Sequence, residues 1–282
     1  MATIEELLLI GKQRLEESGN EYAKYERKVL LEEALGCNYM YMLMNAEETV
    51  EVSREQQYLE WIRQRCNHYP LQYILGKAHF MDFTFYVNEN VLIPRNDTEI
   101  LVETANELLD AMQADNTKIR VLDLCCGSGC IGISLKKYHK DIALVLSDYS
   151  EKALEVTKKN LELLQVEAET LHGDLFEPFV GKANLIVSNP PYIESEVIGT
   201  LMPEVREYEP MMALDGGADG LDFYKRIIDE APMYLENCGY LVFEIGCNQA
   251  KEVMHLMTER GFSNVQVRQD YAGLDRVVFG QI

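Results

Sequence analysis

Val121-Leu122-Asp123-Leu124-Cys125-Cys126-Gly127-Ser128-Gly129-Cys130-Ile131-Gly132 is the stretch that decides the fold. A short apolar run that gives way to small residues and then to a helical pattern predicts a buried strand, a tight turn and a helix start. Gly127, Gly129 and Gly132 satisfy G-x-G-x-x-G at that junction. Glycines let the backbone approach a ligand closely, and the helix N-terminus adds N–H donors and positive potential. Asp148 ends the next strand about 20 residues on, where an acid bonds the two hydroxyls of a ribose. The unit is therefore expected to bind an adenosine-type ligand. Nicotinamide dinucleotides and S-adenosylmethionine both use this geometry. Two features favour the second. No further phosphate-binding glycines or arginines accompany the loop, and Asp123 offers a carboxylate to an amino group, which a pyrophosphate would not want. Asp174, in Gly173-Asp174-Leu175-Phe176, is a candidate acceptor for an adenine amino group, with Leu175 and Phe176 packing the ring.

Outward from this unit the pattern alternates strand and helix. Strands are expected at 119–124, 142–146, 169–171, 183–188 and 240–245, with helices at 129–138, 150–164, 221–235 and 249–259. Two last strands, 264–268 and 276–279, should pair antiparallel. The succession predicts an α/β fold, a mostly parallel Rossmann-like sheet ending in an antiparallel hairpin. Upstream the chain reads as helices. Thr3 and Glu6 form a capping box, Gly19 and Gly36 are stops, and Ser53 with Gln56 opens a further helix. Tyr39-Met40-Tyr41-Met42-Leu43-Met44 suits either core packing or an adaptable protein-binding face. Phe80, Phe83, Phe85 and Val87, followed by Val91-Leu92-Ile93, flank the turn-rich Asn88-Glu89-Asn90 and predict a β-hairpin. The expected divisions are 1–76 helical, 77–93 a hairpin linker, and 94–282 the nucleotide-binding domain.

The strand at 183–188 runs into Asn189-Pro190-Pro191-Tyr192. Two prolines supply no N–H and leave a stiff segment of carbonyl acceptors. The Asn189 side-chain oxygen adds an acceptor and the Tyr192 ring a flat wall, a surface suited to a planar amide or base.

Composition narrows the partners. Asp and Glu total 47 against 26 Lys and Arg, a formal net charge of −21. Such a field repels duplex nucleic acid unless a basic patch intervenes, and no Lys/Arg-rich run occurs. The seven cysteines are scattered without a C-x-x-C pair, and the five histidines are dispersed, so reduced thiols and no metal are expected. No basic leader and no apolar run of about 18 residues is evident, which points to the cytoplasm.

Taken together, the glycine loop after the first strand and Asn-Pro-Pro-Tyr after the fourth resemble class I S-adenosylmethionine-dependent methyltransferases that act on planar nitrogens. More closely, the chain resembles the peptide chain release factor N5-glutamine methyltransferases, the PrmC/HemK family. The resemblance spans nearly the whole chain. It takes in Pro70–Gly76, Leu92-Ile93-Pro94-Arg95-Asn96-Asp97-Thr98-Glu99, Val121–Gly129, Val187–Ile193, Glu209-Pro210, Ala213–Leu221, Phe243-Glu244-Ile245-Gly246 and Asp275-Arg276-Val277-Val278.

This resemblance implies a small N-terminal helical domain that grips the release factor and a methyltransferase domain that modifies the glutamine of its Gly-Gly-Gln loop. It implies that Cys125, Cys126, Gly127, Ser128, Gly129, Asp148 and Leu175 contact the donor, beside Asp123, Asp174 and Asn189 as further expected donor-binding residues. Asn189, Pro190, Pro191 and Tyr192 would hold the glutamine amide, with Asn189, Pro190 and Tyr192 taking the catalytic part. Departures are Cys125-Cys126 in place of a frequent Gly-Thr, Leu175 where an aromatic is common, and Asn96 for a usual proline. Cysteine is expected in the loop only with negative φ. An adenine-N6 nucleic-acid methyltransferase, which uses similar Asn/Asp-Pro-Pro-aromatic loops, is the alternative.

Overall fold

Thr3 opens the first helix as the sequence predicts. Its hydroxyl accepts from Glu6 N (3.2 Å) and Glu6 Oε2 accepts from Thr3 N (2.8 Å), so two helix-end donors that would otherwise lack partners are satisfied. The structure, a computed structural model, describes residues 1–113 and 118–282. These divide into two compact units, Met1–Gly76 with Met202–Tyr208, and Lys77–Leu201 with Glu209–Ile282.

The first unit comprises α1 (Ile4–Glu17), α2 (Ala23–Leu35), α3 (Tyr39–Met44), α4 (Val52–Cys66) and α5 (Leu71–Leu75), joined by the short helix at Pro203–Tyr208. Leu7, Leu15, Leu30, Leu31, Tyr58 and Ile62 form its core. A Cβ on Gly11 would sit 1.9 Å from the Tyr58 hydroxyl, so glycine is what lets α1 and α4 close on each other. Arg65 is buried between two acids, Glu26 (2.8 Å) and Glu204 (3.0 Å), and fastens the late segment to the early helices. Two expectations change here. The residue ahead of α4 is Glu51, without a side-chain cap, and Ser53 lies inside the helix. In α3 only Met42 is buried, while Tyr39, Met40, Tyr41, Leu43 and Met44 are exposed.

The second unit opens with β1 (Lys77–Phe80) and β2 (Phe83–Tyr86), an antiparallel pair whose turn is Met81-Asp82. The hairpin expected around Asn88-Glu89-Asn90 is thus placed earlier. It is no linker either, because Phe80 and Phe85 are fully buried in this unit's core. After a 3-10 turn at Asn96–Thr98 come α6 (Glu99–Gln113), β3 (Arg120–Leu124), α7 (Cys130–Tyr138), β4 (Ala143–Asp148), α8 (Glu151–Leu164), β5 (Glu169–His172) and β6 (Ala183–Ser188). The helix of the first unit at Pro203–Tyr208 is α9; then follow α10 (Asp222–Tyr234), β7 (Leu235–Glu244), α11 (Ala250–Glu259), β8 (Ser263–Gln269) and β9 (Asp275–Gln281). The sheet order is β5-β4-β3-β6-β7-β9-β8, parallel from β5 through β7, with β9 antiparallel to both neighbours. Apolar side chains cover both faces, as parallel strands require.

Register sets the site. Leu124 lies opposite Ser147 on one side and Ser188 on the other, and Ser188 lies opposite Phe243. Cys125, Asp148, Asn189 and Glu244, the next residue of each strand, therefore emerge in one row at the carboxyl edge. Asp148 in turn pairs with His172, so the Gly173-Asp174-Leu175 turn joins the same edge. The chain winds from β3 to β4 in one direction and places β6 in the other, which opens a crevice at the reversal.

Candidate active site

The loop from β3 to α7 is built on three residues with left-handed backbone, Cys125 (φ 59°), Gly127 (φ 54°) and Gly129 (φ 79°). The expectation of negative φ at Cys125 is overturned, because the loop must reverse directly after Leu124 while Cys126 N donates to Ser147 O (3.0 Å). Thr157 Oγ1 donates to Gly127 O (2.7 Å) and Asn160 Nδ2 to Ser128 O (2.9 Å), so the loop is held from α8. A Cβ on Gly127 would meet nothing within 4 Å, and the space beside it opens into a cavity. A Cβ on Gly132 would lie 2.6 Å from Leu146 and 2.9 Å from Asp123 Oδ2, so this glycine serves close helix-to-sheet packing.

The cavity measures about 380 Å³, within the range that takes a nucleoside-sized ligand. Cys125, Cys126, Gly127, Ser128, Asp148, Asp174, Leu175, Asn189 and Pro191 line it together. Asp148 Oδ2 accepts from Gly127 N and Oδ1 from Ser150 N, both at 2.8 Å, which fixes the carboxylate and leaves one face of it to a ligand. Burial pushes its pKa up from the ordinary carboxylate value. Leu175 (φ 48°) is buried in the wall. Asp174 is ion-paired to Arg226 at 2.7 Å, so only its other oxygen remains for an amino group.

Four expected site residues are not among those that line the cavity. Asp123 is fully buried beneath α7, where Oδ2 accepts from Gly132 N (2.9 Å), Oδ1 has no hydrogen-bond partner, and burial pushes the carboxyl up to about 8. It sits two residues before Cys125 of that row and faces the helix. Gly129 is covered by Ile133 and Thr157, and Pro190 is buried beside Asn189 without lining the cavity. The Tyr192 ring also lies outside the lining. Its hydroxyl, like most buried phenols, has found a partner, Glu244 Oε1 at 3.2 Å. Asn189 is oriented by Thr98, whose Oγ1 accepts from Nδ2 at 3.5 Å, and this leaves the side-chain oxygen as a free acceptor.

The structure adds residues that carried no assigned role. Thr98, Arg95, Phe223 and Arg226 line the cavity. Arg95 pairs with the buried Glu209, which also accepts from Ile93 N (3.2 Å), so the 93–95 and 209–213 segments form one rim. Arg226 meets Asp174 across 52 positions, which spacing alone does not signal.

The sheet order, with the glycine loop after β3, is that of a class I methyltransferase fold. A family model described as "Methyltransferase small domain" matches residues 99–203, and one described as "PrmC N-terminal domain" matches residues 6–76. The chain belongs to the release factor glutamine methyltransferases. It is 39% identical to the protein of that name from Clostridium acetobutylicum over 280 residues, 98% of this chain and 97% of that one. It is also 39% identical over 281 residues to that of Geobacter sulfurreducens, covering 99% and 97%. Among solved structures, the hMettl16 catalytic domain in complex with an RNA hairpin aligns with TM-score 0.54 at 13% identity, covering 82% of each chain. The Thermus thermophilus 16S rRNA N2 G1207 methyltransferase aligns with TM-score 0.52 at 19% identity, covering 73% of this chain and 49% of that one. At such identities they speak for the fold alone.

Proposed function

We propose that this chain transfers a methyl group from S-adenosylmethionine to the side-chain amide nitrogen of the glutamine in the Gly-Gly-Gln motif of peptide chain release factors. One observation carries the chemistry: Asn189, with its oxygen free, stands in the same row as the cavity's Cys125 and Asp148. Full-length relatives named for glutamine methylation support the substrate.

The residues present fit the donor. Gly127 leaves an open cradle, Asp148 presents a fixed carboxylate to a ribose, and Leu175 gives an apolar wall. Asp174 keeps one oxygen for an adenine amino group. Bound there, the donor supplies an electrophilic sulfonium methyl. An amide nitrogen is a weak nucleophile because its lone pair is delocalised, so positioning decides the rate. Asn189 Oδ1 and the Pro190 carbonyl each accept a hydrogen from the glutamine NH2 and turn the nitrogen toward the methyl. As the N–CH3 bond forms, the S–CH3 bond breaks with its electron pair left on sulfur, as the neutral thioether S-adenosylhomocysteine. The proton passes to water after transfer, when the nitrogen is positively charged, so no strong base is needed beforehand.

The adenine-N6 alternative is not favoured, since the full-length relatives carry the glutamine name and the charge of −21 opposes nucleic acid. The release-factor substrate fits work in the cytoplasm. No helix of the described residues is long and apolar enough to cross a membrane.

Incubation with labelled S-adenosylmethionine and purified release factor should add one methyl to the Gly-Gly-Gln glutamine, read by mass spectrometry. Asn189→Ala should lower turnover about 100-fold with donor affinity nearly unchanged. Label on nucleic acid but not on protein would overturn the reading.

A further inference from the structure

Pro190 and Pro191 have no N–H, so the middle of the acceptor loop can be fastened only through carbonyls. Gln249, which directly precedes α11 and is 6% exposed, uses that opening. Its Nε2 donates to Tyr192 O (3.0 Å) and to Gly220 O (3.2 Å), and its Oε1 accepts from Gly246 N (2.9 Å). Both amide hydrogens and the carbonyl are thus engaged, and one side chain ties three loops. The glycines opposite are part of the same fit. A Cβ on Gly216 would lie 2.6 Å from Tyr192 Cα, and one on Gly220 would lie 2.4 Å from Tyr192 O and 2.6 Å from Gln249 Nε2. At its other end Tyr192 is held by Glu244. Gln249 is absent from the cavity lining, so it acts on the site through the loops it holds, and on the acceptor loop through Tyr192.

We propose that Gln249 is a positioning residue for methyl transfer: by gripping the Tyr192 carbonyl it fixes the pose of Asn189–Tyr192, and so the direction in which the Asn189 oxygen and Pro190 carbonyl point. The proposal rests on the reading of that loop as the glutamine clamp. A misplacement of about 1 Å at such a clamp is enough to cost a rate factor on the order of 100.

Gln249→Glu keeps the size and the acceptor for Gly246 N–H but removes both donors from Tyr192 and Gly220. With release factor as substrate, and active enzyme counted by S-adenosylmethionine titration, kcat should fall at least about tenfold while substrate KM and donor Kd stay within about threefold. Gln249→Asn, one methylene shorter, is the milder variant should the carboxylate prevent folding, and it should show the same split. A role confined to stability would lower the melting temperature and the active fraction and leave kcat per active site unchanged; that result overturns the proposal. Asn189→Ala measured alongside separates the two ideas. Full turnover in Asn189→Ala defeats the clamp itself, whereas loss there with full kcat in both Gln249 variants defeats only the role of Gln249.

Discussion

At residue scale the most informative position is Cys125, whose φ of 59° lies where L side chains are uncommon. A non-glycine residue held in this region costs roughly 1–3 kcal/mol, borne by the surrounding structure because the chain must turn at the head of the cavity. Cysteine is unbranched at Cβ and tolerates it better than valine would. Cys125→Val should therefore destabilise by about 1–3 kcal/mol and weaken donor binding, while Cys125→Gly should keep stability within about 1 kcal/mol of the parent. Thermal unfolding and a donor titration give both numbers; if the valine variant equals the parent, strain is not what constrains this position. Legibility differed sharply among neighbouring acids. Asp148 was readable because strand spacing from the glycine loop fixes its height. Asp123 was not, since alternation along β3 puts its side chain on the face opposite Leu124, under α7. The φ of Cys125 was equally hidden, because it follows from the reversal of the whole loop.

At element scale the alternating pattern from β3 to β9 was legible because each strand is an apolar run bounded by turn residues. The hairpin at Lys77–Tyr86 was harder, since Met81-Asp82 carries no glycine while Asn88-Glu89-Asn90 looks like a turn. Helix α6, absent from the helices expected from the sequence, buries Leu101, Ala105 and Leu109 at four-residue steps, a stripe whose start is obscured by the 3-10 turn at Asn96–Thr98. The attachment of Met202–Tyr208 to the first unit was not legible, because it depends on Arg65 meeting Glu204 across 139 positions. Helix α7 packs closely on β4 at Gly132. Alanine there gains up to about 1 kcal/mol of helix propensity but pushes a Cβ into Leu146 and the Asp123 carboxylate. Overpacking wins, and Gly132→Ala should lower stability by about 1–2 kcal/mol, seen as a lower urea midpoint at unchanged slope. A midpoint at or above the parent's would show that the helix slides freely on the sheet.

At the scale of the whole molecule, charge and burial act together. Burial raises the carboxyl pKa of Asp123, Asp148, Glu209 and Glu244 in the folded state. For each, the folded protein holds its proton more tightly than the unfolded chain, so stability is lost as pH rises through the folded value; for Asp123 that window runs from about 4 to about 8. Self-repulsion from a net charge of −21 acts in the same direction, because it grows as carboxylates ionise. Opposing them are acids held below their ordinary value, such as Glu107 by its hydrogen bond from Arg268 and Asp270 by its bond from Leu274 N. Their contribution is present above the ordinary carboxylate value and is lost only as pH falls below about 4. Stability should therefore peak in mild acid and decline toward pH of about 8. Added salt should raise the melting temperature at the alkaline end by screening repulsion, with less effect in mild acid. Asp123→Asn isolates the buried term, because an amide oxygen still accepts from Gly132 N–H yet does not titrate. Its melting temperature should fall less steeply than the parent's between about pH 5.5 and 8, at matched ionic strength. Parallel slopes for the two proteins would mean that the Asp123 carboxyl is already ionised across the window, leaving the decline to surface repulsion and to Asp148, Glu209 and Glu244.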